Sequence, residues 1–453
     1  MRYVSTRGRT SPMPFQDAVM TGLAPDGGLL LPESIPDLGS RLDGWRRLGF
    51  AELAAELFEP FIGDLSREEL ERIVAKAFAS FRHPDVAPLV QVGDLRVLEL
   101  FHGPTLAFKD IAMQVLGGMF EHILNERGGR LNILCATSGD TGSAAIAGAR
   151  NRPNIGIFVL YPDGGTSELQ ARQMTTTLDP NVHCLAIQGT FDDCQRVVKS
   201  IFGDLPFKGR FDLGAVNSVN WARLMAQTVY YFHTALKFDQ PVTFSVPTGN
   251  FGDILAGYLA RAMGAPIDRL ILATNSNDIL ARFFATGVYA LGPVHRTISP
   301  SMDIQVASNF ERFLYYRLGS SEALETFMAG FAANGSARIE DGRPMDECIV
   351  PAAVSEEETM ATIGDVYARH GYVLDPHTAV GVAAARRHRP SGPVVYLATA
   401  HPAKFPESVN AAAGEEVAHH PALDGLADLP ERKTVLPPDV DAVKEFIASH
   451  AFA

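Results

Sequence analysis

The chain has few cysteines and no excess of basic residues, and both shortages exclude whole classes of protein. Only four of its 453 residues are cysteines, at positions Cys135, Cys184, Cys194 and Cys348. None of them forms a CxxC pair, so the sequence predicts neither a metal site nor a disulfide framework. The 39 lysines and arginines are outnumbered by 52 aspartates and glutamates, which gives a formal net charge of -13. We therefore expect no nucleic acid among its main partners.

Long hydrophobic runs are missing as well. The longest apolar stretches are far shorter than the roughly 18 residues that a membrane-spanning helix needs. The segment from Met1 to Thr6 lacks the apolar core of a signal peptide. We therefore expect a reduced, cytoplasmic protein without a membrane partner. Hydrophobic residues still make up 46% of the chain, which is enough apolar material for several cores and argues against global disorder.

The sequence pattern changes near residue 95. Before it, the chain reads as a mostly helical region, with a capping box at Ser66-Arg67-Glu68-Glu69 in front of a helical apolar pattern. After it, short apolar runs alternate with helical stretches. The predicted strands are Leu95–Leu100, Leu131–Ala136, Ile155–Leu160, Val182–Ile187, Val242–Val246, Leu270–Ala273 and Val394–Ala398. The predicted helices between them include Ile111–Glu126, Thr190–Phe202, Trp221–Leu236 and Ile254–Met263.

This alternation predicts right-handed βαβ units and mainly parallel sheets, whose strands are apolar throughout because both of their faces are buried. The number of units is large for one sheet. We therefore predict an α/β protein with two mainly parallel-sheet domains facing a cleft, after a mostly helical N-terminal region. The predicted domains are residues 1–94, a smaller domain 95–238 and a larger domain 239–453.

Two later stretches give weaker signals. The stretch 319–356 is polar and carries few signals, and a second capping box at Ser355–Glu358 then opens a helix. We expect the tail after Gly414 to wrap the surface and to end in a short helix near Val443–Ser449.

A first strand-to-helix junction, Thr137–Gly142, carries residues suited to anion binding. Gly139 and Gly142 permit tight backbone turns, so several amide N–H groups can converge at a helix start. The hydroxyls of Ser138 and Thr141 add further donors. The same residues also fit an ordinary helix cap, and the sequence leaves both interpretations open.

A second junction, with Gly249, Asn250, Phe251 and Asp253, follows the predicted strand Val242–Val246 and offers another turn of amides at a helix start. Its phenylalanine either shields a ligand or holds the turn against the core, and its aspartate also fits a plain cap.

A third junction places Thr399 after the predicted strand Val394–Ala398. Ligands of open α/β sheets bind beyond the carboxyl ends of the strands, so Thr399 is placed to contact one. A capping role fits this residue equally well.

Lys109 lies in the apolar stretch Phe101–Met113. Most lysines in such surroundings extend their amine to solvent. A desolvated lysine with a lowered pKa, however, forms Schiff bases with carbonyl compounds. Together with a phosphate-binding turn, such a lysine meets the requirements of pyridoxal phosphate. Two anion-binding turns would serve two phosphates, one on the cofactor and one on a substrate.

Eight segments, in order along the chain to about residue 410, resemble the signatures of the threonine synthase family. The segment His102–Asp110, around Lys109, is similar to that family's pyridoxal-lysine motif. The other seven are Ala24–Leu29, Ala136–Ala145, Gly189–Gln195, Asn217–Arg223, Gly249–Asp253, Asp375–Gly381 and Thr399–Phe405. The likeness is greatest to the longer branch of the family, which has an extra N-terminal region. The stretch 319–350 and the tail after about Glu415 carry no recognisable signature.

The resemblance implies the fold of type II pyridoxal-phosphate enzymes and the conversion of O-phospho-L-homoserine and water to L-threonine and phosphate. It implies that Lys109 is the catalytic base and binds the cofactor covalently, and that Thr399 faces the pyridine nitrogen. It also implies a cofactor-phosphate site formed by Gly249, Asn250, Phe251 and Asp253. The candidate substrate contacts are Ser138, Thr141, Asn217, Ser218, Asn220 and Arg223. The family likeness favours a monomer.

Three other interpretations stay open to test. A phospholyase of the same fold, which releases phosphate and a 2-keto acid, would share the cofactor residues. A binding protein that has lost catalysis is disfavoured by the intact Lys109. A dinucleotide-binding enzyme is disfavoured because no GxGxxG motif follows the first predicted strand. The segment Asn217–Arg223 also fits a strand end followed by a helix cap.

Overall fold

A computed structural model describes residues 1–137, 139–340 and 345–452 of the chain. Ser138, one of the predicted substrate contacts, lies outside the described residues. None of the helices in these ranges is long and apolar enough to cross a membrane. The same ranges contain no cluster of histidine, cysteine or acidic side chains that could hold a metal ion.

The N-terminal region combines four helices with one pair of short antiparallel strands. Its helix α4 begins at the predicted capping box, where Ser66 and Glu69 exchange side-chain and backbone hydrogen bonds. The mostly helical region is therefore confirmed. Its elements are β1 (Tyr3–Ser5), α1 (Phe15–Thr21), β2 (Leu30–Pro32), α2 (Leu42–Trp45), α3 (Phe50–Phe58) and α4 (Arg67–Phe78).

The next part of the chain contains the predicted helix Ile111–Glu126, which in the structure begins at Lys109, and most of a parallel sheet. Its strands and helices alternate as the apolar pattern predicts. They are β3 (Leu89–Val92), β4 (Leu95–Glu99), α5 (Lys109–Arg127), β5 (Leu131–Ala136), α6 (Asp140–Ala149), β6 (Ile155–Pro162), α7 (Glu168–Thr175), β7 (Val182–Ile187), α8 (Phe191–Gly203), α9 (Leu205–Arg210), β8 (Leu213–Gly214) and α10 (Trp221–Ala235).

The remainder of the chain supplies most strands of a second sheet, to which β3 and β4 also belong, and its last strand joins the sheet of β5 to β8. Its elements are β9 (Val242–Pro247), α11 (Gly252–Ala262), β10 (Ile267–Thr274), α12 (Ile279–Thr286), β11 (Val288–Ala290), α13 (Phe310–Leu318), α14 (Ser321–Asn334), β12 (Ser336–Arg338), β13 (Ile349–Ala353), α15 (Glu356–His370), α16 (Pro376–His388), β14 (Val394–Ala398), α17 (Pro406–Ala413), α18 (Pro421–Asp424), β15 (Thr434–Leu436) and α19 (Val440–His450).

The described residues contain one six-stranded and one five-stranded sheet, here called the larger and the smaller sheet. The larger sheet has the strand order β13-β10-β9-β14-β4-β3 and is parallel except for β3. The smaller sheet has the order β15-β7-β6-β5-β8 and is parallel throughout. Every residue of β6 and β9 is buried, which explains their unbroken apolar runs. The predicted α/β fold with two mainly parallel sheets is confirmed, and each of the seven predicted strands is present.

The sheets also contain strands that the sequence did not reveal. Within the weakly patterned stretch 319–356, β13 forms an edge of the larger sheet beside β10. In the tail, β15 joins the smaller sheet beside β7, and Val443 and Ile447 of α19 are buried in that sheet's core. The tail is therefore an integral part of the fold, and its predicted helix is longer than expected.

Sheet membership crosses the predicted domain boundaries at 94 and 238. Strand β4 belongs to the larger sheet, although residue 95 was expected to open the smaller domain. The C-terminal β15 belongs to the smaller sheet, although the tail was expected in the larger domain. The division into domains stays a prediction.

Candidate active site

The carboxyl ends of three neighbouring parallel strands bring the predicted cofactor residues together. In the larger sheet, β14 lies between β9 and β4, so Thr399 after β14 lies between the turn that follows β9 and the segment that follows β4. The backbone N–H of Phe108 donates a hydrogen bond to the Thr399 carbonyl over 2.8 Å. The N–H of His401 donates to the Leu106 carbonyl over 3.0 Å. Lys109, the first residue of α5, is thereby fixed beside Thr399.

The side chain of Lys109 is enclosed and only 13% exposed. Burial lowers the pKa of its amine below the ordinary value, and the nearby positive charges of Lys404 and Arg223 act in the same direction. The carboxylate of Asp140 opposes this effect. A lysine that acts as a base near neutral pH needs such a lowered pKa.

The Asp140 carboxylate lies between two lysine amines. Its Oδ2 is 3.7 Å from Nζ of Lys109, and its Oδ1 is 2.9 Å from Nζ of Lys404. Burial opposes ionisation of Asp140, but the two positive charges hold its pKa well below the usual value. Sequence reasoning missed both Asp140 and Lys404 as functional residues. The available signal was a charged residue within each of two strand-end loops that, apart from His401, otherwise carry small, hydroxyl or apolar residues.

The turn from Gly249 to Asp253 presents backbone N–H groups. Helix α11 begins at Gly252, and the first N–H groups of a helix have no partner within it and carry the positive end of its dipole. A Cβ atom on Gly249 would lie 2.5 Å from the backbone oxygen of Ser301, so only glycine fits this close approach. The backbone of the turn therefore suits a phosphate group.

The side chains of Phe251 and Asp253 face the protein interior. The Phe251 ring contacts three other rings, those of Phe284, Phe310 and Phe313. The Asp253 carboxylate accepts hydrogen bonds from the hydroxyls of Tyr230 and Tyr231 over 2.6 and 2.8 Å, and burial raises its pKa to about 6. Phe251 thus holds the turn against the core, and only the backbone of these two residues is available to a cofactor phosphate.

The segment Asn217–Arg223 is linked to the same turn through Ser308. The Ser218 hydroxyl lies 2.7 Å from the Ser308 hydroxyl, which donates to Oδ1 of Asn250 over 3.3 Å. Asn220 caps α10 by accepting from the N–H of Ala222, and its amide donates to the carbonyl of Val19. The side chain of Asn220 is therefore occupied by a structural role, as the capping interpretation predicts.

Arg223 is buried and under-bonded. Its Nη1 donates to the carbonyl of Val216 over 3.2 Å, while its Nε has no partner among the described residues. Burial lowers its pKa to about 10. Oδ1 of Asn217 is also buried and unpartnered in the part of the chain that the structure describes. Thr141, another predicted substrate contact, lies in the first turn of α6 and is partly exposed. A buried guanidinium with free donors suits an anionic ligand.

Three family models match this chain. Residues 2–78 match the family model "Threonine synthase N terminus", and residues 378–447 match "Threonine synthase, C-terminal". Between them, residues 83–325, more than half of the chain, match "Pyridoxal-phosphate dependent enzyme". The chain belongs to the threonine synthase family. It is a pyridoxal-phosphate enzyme of fold type II, and the match at residues 2–78 fits the extra N-terminal region of the longer branch.

Individual threonine synthases are similar along the whole chain. The threonine synthase of Pseudomonas aeruginosa is 49% identical over 99% of this chain and 98% of its own length. That of Schizosaccharomyces pombe is 42% identical over 98% and 97%. A crystal structure described as PLP-bound threonine synthase from Brucella melitensis has a TM-score of 0.96 and 47% identity, and it covers 100% of both chains. The Escherichia coli threonine synthase structure has a TM-score of 0.84 at 35% identity, covering 99% and 100%.

Proposed function

We propose that the protein converts O-phospho-L-homoserine and water to L-threonine and phosphate, with pyridoxal phosphate as its cofactor and Lys109 as the residue that binds it. The observation that carries this proposal is the buried Lys109 amine, fixed beside Thr399 at the strand ends where the turn Gly249–Asp253 also lies. As a member of the threonine synthase family, the protein is a pyridoxal-phosphate-dependent lyase.

The residues present fit this cofactor. The enclosed amine suits its aldehyde, the backbone N–H groups at the start of α11 suit its phosphate, and Thr399 suits its pyridine nitrogen. We propose that Gly249 and Asn250 contribute to the phosphate site, and that Phe251 and Asp253 contribute only through their backbone. When bound, the cofactor supplies an electron sink that stabilises negative charge on the substrate carbon next to the amino group. A neutral hydroxyl at Thr399, rather than a carboxylate, would leave the pyridine nitrogen largely unprotonated. The cofactor would then be a weaker electron sink, which favours elimination and replacement over transamination.

Lys109 is the residue that moves protons in this proposal. As a free amine it takes the proton from the substrate's Cα and must release that proton before it can act as a base again. As a free amine once more it takes a proton from Cβ, and the electron pair left at Cβ expels the phosphate from Cγ. Burial lowers its pKa below the ordinary value, which favours the neutral amine that a base requires. Asp140 lies 3.7 Å from this amine and orients it. Addition of water at Cβ and reprotonation then give threonine.

We propose that Arg223 binds the phosphate of the substrate. Its Nε, which has no partner among the described residues, and its planar fork of donors match phosphate oxygens. Its positive charge also lowers the pKa of Lys109, which supports a position near that amine. Ser138, Thr141 and Asn217 are proposed as further donors. Ser218 contacts the Ser308 hydroxyl, and Asn220 donates to the carbonyl of Val19 in α1. We propose that both act by holding the segment Asn217–Arg223 in place.

A product assay separates this function from its nearest rival. Purified protein is incubated with O-phospho-L-homoserine, and threonine, 2-keto acid and phosphate are measured separately. We expect threonine and phosphate in equal amounts and no keto acid. A 2-keto acid in place of threonine would assign the phospholyase activity instead.

Borohydride reduction tests the cofactor linkage. We expect a reduced cofactor adduct on Lys109 after peptide mapping by mass spectrometry, and neither adduct nor turnover in Lys109→Ala. The matched control is Lys76→Ala, since Lys76 is 61% exposed and lies on the surface of α4. Purified protein without the visible absorbance of bound cofactor would favour a binding protein that has lost catalysis.

We further propose that the protein acts as a cytoplasmic monomer on this small-molecule substrate, without nucleic acid. The four free, buried cysteines support a reducing compartment, and the net charge of -13 argues against a polyanionic partner. The monomer is supported by the family likeness. Light scattering on the eluting protein tests it, with 49.0 kDa expected and twice that mass overturning it.

A further inference from the structure

The amine of Lys404 is buried and contacts three separate parts of the chain. Its Nζ lies 2.9 Å from Oδ1 of Asp140, and it donates hydrogen bonds to the carbonyl of Thr105 and to Oε1 of Gln173, both over 2.8 Å. The side chain is 0% exposed. Because an ammonium group has three N–H donors, all of its donors are satisfied within the protein.

These three partners tie the Lys404 amine to both sheets. Lys404 follows β14 of the larger sheet, whereas Asp140 begins α6 and Gln173 lies in α7, helices that connect strands of the smaller sheet. Thr105 belongs to the segment that leads to Lys109, and its N–H and hydroxyl donate to the carboxylate of Asp110. Lys404 therefore fixes the position of Asp140 relative to the Lys109 segment.

One carboxylate consequently serves two buried lysines. Oδ2 of Asp140 lies 3.7 Å from the Lys109 amine, while its Oδ1 is taken by Lys404 and by Nε2 of Gln170 at 3.2 Å. A carboxylate paired with one amine alone favours the protonated amine. A carboxylate whose charge is already compensated by a second cation stabilises the protonated amine less strongly.

Three further charged or titratable groups face this set of residues. The charge of Arg223 on α10 lowers the pKa of Lys109, that of Lys404 opposes the rise that burial causes in the pKa of Asp110 on α5, and that of His377 on α16 lowers the pKa of Asp140. None of them is hydrogen-bonded to the Lys404 amine, whose donors are occupied. Lys404 is thus the cation paired with Oδ1 of Asp140. Arg223 acts in the same direction as Lys404 and lowers the pKa of Lys109 further.

We propose that Lys404 is a positioning residue that supplies the counter-charge of Asp140, so that Asp140 orients the Lys109 amine without holding a proton on it. This inference rests on the proposed role of Lys109 as the base. Lys404 acts through Asp140 and has no contact of its own with the Lys109 amine that would make it a proton donor.

The test is a pH titration of the visible absorbance of the holoenzyme. This absorbance reports whether the nitrogen that joins Lys109 to the cofactor carries a proton. In Lys404→Met, Asp140 loses its counter-charge, and we expect the midpoint to rise by roughly one to three pH units. In Asp140→Asn the positive charges of Lys404 and Arg223 remain, so we expect the midpoint to fall.

Two further variants complete the experiment. Lys404→Arg keeps the charge, so we expect its midpoint to lie close to that of the unaltered protein, with most of the shift seen in Lys404→Met absent. Lys76→Met removes an exposed lysine that also pairs with one carboxylate, Glu121, at 2.9 Å, and we expect no shift. The pH profile of kcat/KM should move in the same direction as the absorbance in each variant.

An unchanged midpoint in Lys404→Met, or a shift of both Lys404→Met and Asp140→Asn in one direction, overturns the proposal. If Lys404→Met does not fold, Asp140→Asn decides on the same titration, since a rise or no change contradicts the argument. A purely structural role of Lys404 would lower kcat and leave the midpoint of the titration unchanged. Failure of the proposed function would be distinct, because the unaltered protein would then form no threonine.

Discussion

Arg312 donates two hydrogen bonds, from Nε and Nη2, to the backbone carbonyl of Leu30, over 3.1 and 2.7 Å. The same guanidinium also donates to the carbonyl of Val219 and to Oδ1 of Asn309. It is completely buried. One cation of α13 therefore joins the N-terminal β2 to the segment Asn217–Arg223, which carries the proposed phosphate ligand.

We expect Arg312→Met to destabilise the protein and to weaken substrate binding. It leaves the carbonyls of Leu30 and Val219 buried without their donor, and each costs about 1–3 kcal/mol. Urea unfolding measures the loss, and the KM for O-phospho-L-homoserine should rise with it. The control is Arg369→Met, since Arg369 is 67% exposed and pairs with Asp365 on its own helix, so the expected loss is below about 1 kcal/mol. Equal losses in the two variants would refute the structural role.

Arg223→Met should separate binding from stability. Among the described residues the buried side chain makes one hydrogen bond, to the carbonyl of Val216. Its replacement leaves that carbonyl without this donor, at a cost of about 1–3 kcal/mol, but also removes the penalty of a buried charge. We therefore expect the melting temperature in phosphate-free buffer to stay close to that of the unaltered protein. The value of kcat/KM should fall by about 10- to 100-fold, which corresponds to one charge-assisted hydrogen bond.

Thermal melts with inorganic phosphate check the Arg223 prediction. Added phosphate should raise the melting temperature of the unaltered protein and should have little effect on Arg223→Met. Arg223→Lys keeps the charge but loses the planar fork, so an intermediate response is expected. A variant without the guanidinium that responds to phosphate like the unaltered protein would rule out Arg223 as the anion ligand.

Asp253 should make stability dependent on pH. Burial raises its pKa from 3.8 to about 6 in the folded protein, so the folded state holds this proton to a higher pH than the unfolded chain does. The contribution of this group to folding stability therefore falls as the pH rises from about 4 to about 6 and stays low above that range. The difference is on the order of 2–3 kcal/mol.

Asp253→Asn removes this dependence. The amide oxygen still accepts from the hydroxyls of Tyr230 and Tyr231, and the amide nitrogen takes the place of Oδ2, which has no partner among the described residues. Denaturant unfolding at pH 4 and pH 8 gives the free energy of unfolding of both proteins. We expect the value for the variant minus that for the unaltered protein to be larger at pH 8 than at pH 4. A difference between the two proteins that is the same at both pH values would contradict the raised pKa.

Gly249→Ala should weaken cofactor binding. The added Cβ would lie 2.5 Å from the backbone oxygen of Ser301, so the turn or its neighbour must move, at a cost of about 1–3 kcal/mol. We expect roughly a tenfold or greater loss of affinity when pyridoxal phosphate is titrated into cofactor-free protein and its absorbance is followed. Gly330→Ala is the control, because Gly330 lies in α14 with nothing within 4 Å of the added Cβ. Unchanged affinity in Gly249→Ala would show that the turn tolerates a side chain.

Much of the fold was predictable because its signals are local. Strands such as β6 and β9 are buried on both faces, so their apolar runs are visible in the sequence without knowledge of their neighbours. The capping boxes at Ser66 and Ser355 depend on residues three positions apart and are present in the structure. Strand β13 was missed because it is a five-residue edge strand with Pro351 inside it.

The sequence by itself determined the order of strands and helices, the loops at the strand ends and the apolar motif around Lys109, since each depends on residues near one another in the chain. Only the tertiary structure decided that Asp140 lies between Lys109 and Lys404, that the Asp253 carboxylate turns to Tyr230 and Tyr231, and that the C-terminal β15 completes the smaller sheet. These contacts join distant segments. Their geometry follows from the way the two sheets and their helices pack, which no local pattern records.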